Sequence, residues 1–172
     1  MSFRILLALP LALLLLAPAG ADAAPKDHLW ATVNVCDTAN APDTFGVRAR
    51  MPGNGTRQRM WMRYRVQFYS DSDARWKYVS SGGKSPWVEA GSARFAFKET
   101  GYEFTFDPPA AGSKFVLRGV VDFEWRERVR SKKTGKVVTK VRKEKRKYTA
   151  AGHRTRGSDP EDFSAARCEI VP

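Results

Sequence analysis

Twelve Lys and Arg side chains fall within residues 126–147, namely Arg126, Arg128, Arg130, Lys132, Lys133, Lys136, Lys140, Arg142, Lys143, Lys145, Arg146 and Lys147. Only Glu127 and Glu144 oppose them there. Cations at that density repel one another and gain from an anionic partner, so the chemistry they offer is polyanion binding through many weak charge contacts. A cell-wall polymer, anionic lipid headgroups or an acidic polysaccharide would suit, and nucleic acid is a less favoured polyanion. The competing account is edge protection, in which lysines on an exposed strand block sheet-to-sheet aggregation and keep the chain soluble.

A second group mixes cations with rings. Trp61, Arg63, Arg65 and Tyr69 share one side of an alternating run, and Trp76 and Tyr78 from the next run would lie beside them. Cations over aromatic faces can stack sugars or bases. Cross-strand packing of Arg on Trp explains the pattern without a ligand and is the preferred reading. Cys36 and Cys168 are the two cysteines. Outside the cytosol such a pair forms a disulfide, here one that would tie the first strand to the last.

No catalytic constellation is legible. A Gly-x-Ser-x-Gly elbow is missing, and both histidines, His28 and His153, fall in segments that read as loop or terminus. Asp71, Asp73, Glu89, Glu99, Glu103, Asp107, Asp122 and Glu124 read as solvated strand faces and turn caps rather than as a glycosidase pair. Asp71-Ser72-Asp73 lacks the calcium-loop pattern, and two Cys with two His leave too few ligands for most zinc sites. The chain is therefore expected to be no enzyme and to need no metal or cofactor, with an extracellular hydrolase kept as a minor alternative. Asn54-Gly55-Thr56 fits the glycosylation sequon on a turn.

The elements that must position these groups follow from length and periodicity. The 172 residues carry 30 Lys+Arg against 18 Asp+Glu, a formal net charge of +12, and are 42% hydrophobic. That suits one domain with a core and excludes wholesale disorder. Ser2-Phe3-Arg4, an apolar stretch over 5–17 broken by Pro10, and the small-x-small triplets Ala19-Gly20-Ala21 and Ala21-Asp22-Ala23 read as a secretory signal over residues 1–23. The stretch is too short for a bilayer, which needs about 20 residues. A single domain over 24–172 would then be exported, with no later stretch long enough to span.

The dominant period after the signal is two. Phe45, Val47, Ala49 and Met51 alternate with Gly46, Arg48 and Arg50, and Met60, Met62, Tyr64, Val66 and Phe68 with Trp61, Arg63, Arg65, Gln67 and Tyr69. Phe95 flanks Ala96 with Phe97, and Tyr102, Phe104 and Phe106 share one face. Phe115, Leu117, Val121, Phe123 and Trp125 hold another, with Gly119 marking a bulge or a close approach. Such alternation predicts half-buried strands. Turn chemistry separates them at Pro52-Gly53-Asn54-Gly55, Ser70-Asp71-Ser72-Asp73, Ser80-Ser81-Gly82-Gly83 and Asp107-Pro108-Pro109. Some seven to nine strands with one apolar face each predict two stacked antiparallel sheets, with a closed barrel as second choice. Residues 126–147 predict a β-hairpin protruding beyond them, its tip at Thr134-Gly135. A polar loop over 150–162 and a terminal strand over 163–171 follow.

The pattern Leu117-Arg118-Gly119-Val120-Val121-Asp122-Phe123-Glu124-Trp125-Arg126, the Gly turn Gly135-Lys136-Val137-Val138, the basic strand ending Tyr148-Thr149 and the late Cys168 resemble secreted bacterial immunoglobulin-like domains. They are similar to fibronectin-III-like, adhesion-related modules, over 29–171 in outline and 115–149 in motif. The resemblance implies an all-β, immunoglobulin-like antiparallel β-sandwich that binds or adheres without catalysis, and it transfers no binding residue. The cysteines depart from the immunoglobulin pattern, since their bridge would join terminal strands rather than the two sheets around a core Trp. The expected function is a secreted binding or adhesion module whose basic hairpin engages an anionic partner at the cell surface or wall. The alternative is a structural or accessory subunit of an envelope protein assembly, its ribbon adding a strand to a protein partner.

Overall fold

A computed structural model of the chain describes residues 29–172, so the expected secretory signal lies outside the described residues. Nine strands carry the regular structure there: β1 (Trp30–Thr38), β2 (Ala41–Pro52), β3 (Arg59–Ser70), β4 (Arg75–Tyr78), β5 (Val88–Ser92), β6 (Phe97–Thr105), β7 (Phe115–Arg130), β8 (Val137–Tyr148) and β9 (Cys168–Ile170). No helix among the described residues is long and apolar enough to cross a membrane. One sheet has the order β1-β2-β6 and the other β4-β3-β7-β8, with β5 added to β3 and β9 to β7. All named strand pairs are antiparallel.

Alternation decides which faces meet. Met60, Met62, Tyr64 and Val66 of β3 stand opposite Trp125, Phe123, Val121 and Gly119 of β7. With Phe45, Val47, Ala49 and Met51 of β2 they form the buried cluster between the sheets. Burying each large side chain contributes about 1.5–3 kcal/mol, and a one-residue slip would turn a whole row to water, so the pattern fixes the register. Gly119 marks a close approach rather than a bulge. The β3–β7 register runs through it unbroken, and a Cβ there would lie 2.7 Å from Thr149 Cγ2 and 2.9 Å from Val47 Cγ2.

β1 has a different reason to be a strand. Ala31 and Val33 face the core, while its outer side is covered by residues 149–167. Val33 and Ala165 exchange backbone hydrogen bonds of 2.9 and 3.1 Å, and Ala150 N–H donates to Ala31 C=O at 2.9 Å. The Thr32 and Ser164 hydroxyls meet at 2.7 Å, and Asn34 Nδ2 donates to Gly157 C=O at 2.7 Å. This strap supplies the backbone partners that an edge strand would otherwise lack.

Three expectations need correction. The disulfide Cys36–Cys168, with Cα atoms 5.4 Å apart, does join terminal strands. Those strands belong to different sheets, however, because β9 pairs with β7 at Leu117↔Cys168 while β1 pairs with β2. The bridge therefore links the two sheets. Phe95 lies in a turn and not on a strand: Gly53 N–H and Asn54 N–H donate to Ala96 C=O and Ala93 C=O, both at 2.9 Å, and hold 93–96 folded ahead of β6. The last strand is only Cys168–Ile170, because the preceding residues serve as the strap on β1.

Candidate functional site

The hairpin is built by β7 and β8, paired from Val120↔Tyr148 to Arg130↔Val137, with a register shift between Trp125 and Arg126. Its turn is closed by Ser131 N–H to Lys136 C=O and Gly135 N–H to Ser131 C=O, both at 2.8 Å. Gly135 there has φ 68°, a left-handed conformation that glycine adopts without a Cβ penalty. The expected tip, Thr134-Gly135, falls in this turn. The pairing of β3 with β7 stops at Arg59↔Arg126, so the segments 127–130 and 137–140 form a two-stranded ribbon beyond the third strand. β8 is exposed from Val137 to Arg146.

Several of these cations are paired with a carboxylate, among them Arg126 Nε with Glu124 at 2.6 Å, Arg142 Nε with Glu127 at 2.7 Å and Arg146 Nε with Asp122 at 2.7 Å. Arg130 donates instead to Gly135 C=O at 3.0 Å, and the Lys143 ammonium stands 4.8 Å from the Trp125 ring centroid. Arg128, Lys132, Lys133, Lys136, Lys140, Lys143 and Lys145 make no ion pair among the described residues. These uncompensated charges are concentrated on the turn and on β8.

The second candidate group is also brought to one face. The register Tyr69↔Trp76 and Gln67↔Tyr78 sets β4 beside β3, so Trp61, Arg63, Arg65, Tyr69, Trp76 and Tyr78 share the outer side of the larger sheet. Three of the four rings, those of Trp61, Trp76 and Tyr78, already carry a guanidinium. Arg65 lies 4.6 Å over Tyr78, and Arg63 and Arg126 each lie 4.4 Å over Trp87. Arg126 also lies 4.7 Å from Trp61. Arg118 is stacked between Trp76 at 4.3 Å and Tyr148 at 4.5 Å, with Arg167 at 5.3 Å from Trp76. Burial holds the Arg118 guanidinium below its ordinary pKa. The geometry is that of rings and guanidinium groups packed across strands.

Asp122 sits at the centre of this face, its side chain 10% exposed. It accepts from Arg65 at 3.0 Å, from Arg63 at 3.3 Å and from Arg146 at 2.7 Å. The Asp122 carboxylate raises the Arg146 pKa, chiefly through that hydrogen bond. An open cavity of about 380 Å³ beside it is lined by Arg63, Asp122, Phe123, Glu124, Glu144, Lys145 and Arg146. Glu124 and Glu144 stand directly opposite in the ladder, a like-charge pair that Arg126 relieves on the Glu124 side. Among the described residues no group of three His, Cys, Asp or Glu side chains is placed to hold a metal ion.

Sequence reasoning missed Trp87, Arg118, Asp122 and Arg167 as members of this face. The one available signal was Asp122 itself, an acid that follows Val120 and Val121 in a strand whose alternation parallels the one carrying Arg63 and Arg65. Of the two histidines, His28 lies outside the described residues, and His153 is stacked on Trp30 with ring centroids 4.8 Å apart.

Fold and site together define a disulfide-tied, all-β protein of two packed antiparallel sheets with a cation-rich edge strand. No protein-family model matches the chain, and no curated protein is significantly similar to it.

Proposed function

We propose that the chain is a secreted, single-domain, immunoglobulin-like module that binds without catalysis. Its β7–β8 hairpin would engage an anionic partner at the cell surface or wall. The observation that carries this reading is the set of uncompensated cations on an exposed edge, with Lys132, Lys133, Lys136, Lys140, Lys143 and Lys145 free of ion pairs among the described residues. The strand orders support the immunoglobulin-like part: first, second and sixth strands in one sheet, third, seventh and eighth adjacent in the other, as in the A-B-E and C-F-G groupings of that fold. A disulfide between Cys36 and Cys168 agrees with an oxidising, extracytosolic setting.

The test is a salt titration of binding to an anionic cell-wall polymer. Many-contact charge binding loses on the order of 1,000-fold in affinity between about 50 and 200 mM salt. Changing those six lysines to Gln should abolish binding while the circular dichroism spectrum and urea midpoint stay as in the parent. Binding that ignores both salt and the six substitutions would overturn the reading.

A further inference from the structure

We propose that β8 is a receiving strand, and that the hairpin's partner is an extended acidic segment of another protein, added to the sheet edge by backbone pairing. This deepens the polyanion reading above and rests on it. Three observations on the same strand point to a peptide rather than to a polymer without amides.

The first is the backbone. β8 is the outer strand of the order β4-β3-β7-β8, and over Val137–Tyr148 it pairs with β7 alone. Over residues 137–146 its other side offers a row of N–H and C=O groups with no backbone partner among the described residues. Natural proteins usually keep such edges short or cover them, as the strap covers β1 here. β8 instead runs 12 residues, as long as β2 and β3. A polysaccharide or polyphosphate cannot complete that ladder, whereas an extended peptide can.

The second is apolar surface. Val137, Val138, Val141 and Tyr148 all belong to β8 and are 37–52% exposed. Charge binding by an anionic polymer gives these side chains nothing, while the alternate side chains of an added strand would cover them. The third is spacing. Lys143 and Lys145 occupy alternate positions of the strand, a repeat of about 6.8 Å. An incoming strand with Glu or Asp at every second residue sets a carboxylate opposite each ammonium, and the two lysines make no ion pair among the described residues. Edge protection accounts for the lysines but not for the valines beside them.

The probe is a twelve-residue peptide of alternating Glu and Val, compared with the same peptide N-methylated at its central residues and with polyphosphate of equal charge. Each is titrated against the disulfide-bonded protein at one low salt concentration. Strand addition predicts that N-methylation weakens binding by at least tenfold, since it removes the donors and leaves the charge. It also predicts that amides along β8 gain hydrogen-exchange protection with the unmodified peptide and not with polyphosphate. If the methylated peptide binds within twofold of its parent, or polyphosphate binds as well as the peptide, the strand-addition inference falls and the polyanion reading stands. If none of the three binds, both fall. Lys143→Gln with Lys145→Gln should weaken the peptide, and a peptide affinity left within twofold of the parent would overturn the pairing of its carboxylates with these two ammonium groups.

Discussion

Arg146 Nε donates to Asp122 Oδ1 at 2.7 Å from the residue directly opposite it across the β7–β8 ladder. The carboxylate that gathers Arg63 and Arg65 thus also anchors the cationic edge strand. Replacing Asp122 by Ala leaves three guanidinium groups turned on an empty position, two of them 26% and 18% exposed. Removing one member of such a buried pair costs about 3 kcal/mol or more, read as a lower urea midpoint at unchanged slope. Arg146 itself is 52% exposed, so Arg146→Gln should cost under about 1 kcal/mol. Equal losses from the two changes would contradict the central role of Asp122. A raised Arg146 pKa contributes stability that is fully present below the unfolded value and is lost as pH rises through the folded one. The Arg146 guanidinium should therefore hold its charge across the neutral range.

The bridge from Cys36 to Cys168 closes a loop with a sequence separation of 132 residues. Cross-linking over that length stabilises the fold by about 5 kcal/mol on the chain-entropy argument, and loss of a native disulfide commonly costs about 2–5 kcal/mol. The Cys36→Ala, Cys168→Ala double variant should lower the thermal midpoint by as much as reductant lowers that of the parent. Reductant should then do nothing further to the variant.

Legibility in the sequence tracked how local each contact was. β2, β3 and β7 were readable because one face of each packs inward, and Met60, Met62, Tyr64 and Val66 advertise it by strict alternation. β1 hid because it is covered on both sides: Thr32 and Asn34, which alternation would send to water, bond to the strap at Ser164 and Gly157. β5 hid because Val88–Ser92 meets β3 across a register shift between Met60 and Trp61, which destroys period two. The hairpin's charges were visible because its partners are sequence neighbours. Asp122 as a hub was not, since Arg63 and Arg146 reach it from residues 59 and 24 positions away. The cysteine pairing was legible from compartment and count, but its inter-sheet character depended on which sheet β9 would join.

Asp73 provides an acid-side signature. Its carboxyl is lowered from 3.8 to about 2, first by the Lys77 hydrogen bond and then by Ser70, whose hydroxyl donates at 2.5 Å. A depressed pKa contributes stability above its unfolded value, and that contribution is lost as pH falls through about 2. A carboxyl titration followed by NMR should place the Asp73 midpoint near the bottom of the acid range. Lys77→Met should move it back up toward that of a free aspartate. An unmoved midpoint in that variant would assign the shift to the serines instead.

Arg118 tests whether the ring-covered face is packing or a binding site. It lies between Trp76 and Tyr148 and donates from Nε to Gln67 Oε1 at 2.8 Å. Arg118→Lys keeps the charge but loses the planar stack and that donor, at a cost of about 1 kcal/mol. Polymer affinity should remain within twofold of the parent, because the hairpin lysines are untouched. A tenfold loss of affinity without loss of stability would move the binding site onto this face.

At Gly119 β7 meets both Val47 of the other sheet and Thr149 at the start of the strap, and its substitution gives a contact-level test of that geometry. Thr149 Oγ1 accepts from Gly119 N–H at 3.0 Å and donates to Ala166 C=O at 2.6 Å, so one threonine ties β7 to the strap. A methyl added at 119 would meet Thr149 Cγ2 at 2.7 Å and Val47 Cγ2 at 2.9 Å. Neither neighbour can rotate away freely, because Thr149 is held by its two hydrogen bonds and Val47 is buried at 1% exposure. Overpacking of this kind costs about 1–3 kcal/mol. Thr149→Ser removes the nearer methyl and keeps the hydroxyl, so Gly119→Ala with Thr149→Ser should recover part of the loss. The double variant should be more stable than the sum of the single changes, which a double-mutant cycle in urea measures directly. Strict additivity would mean that the added methyl is accommodated by backbone movement in β7, and the register of Val120↔Tyr148 would then be the place to look for it.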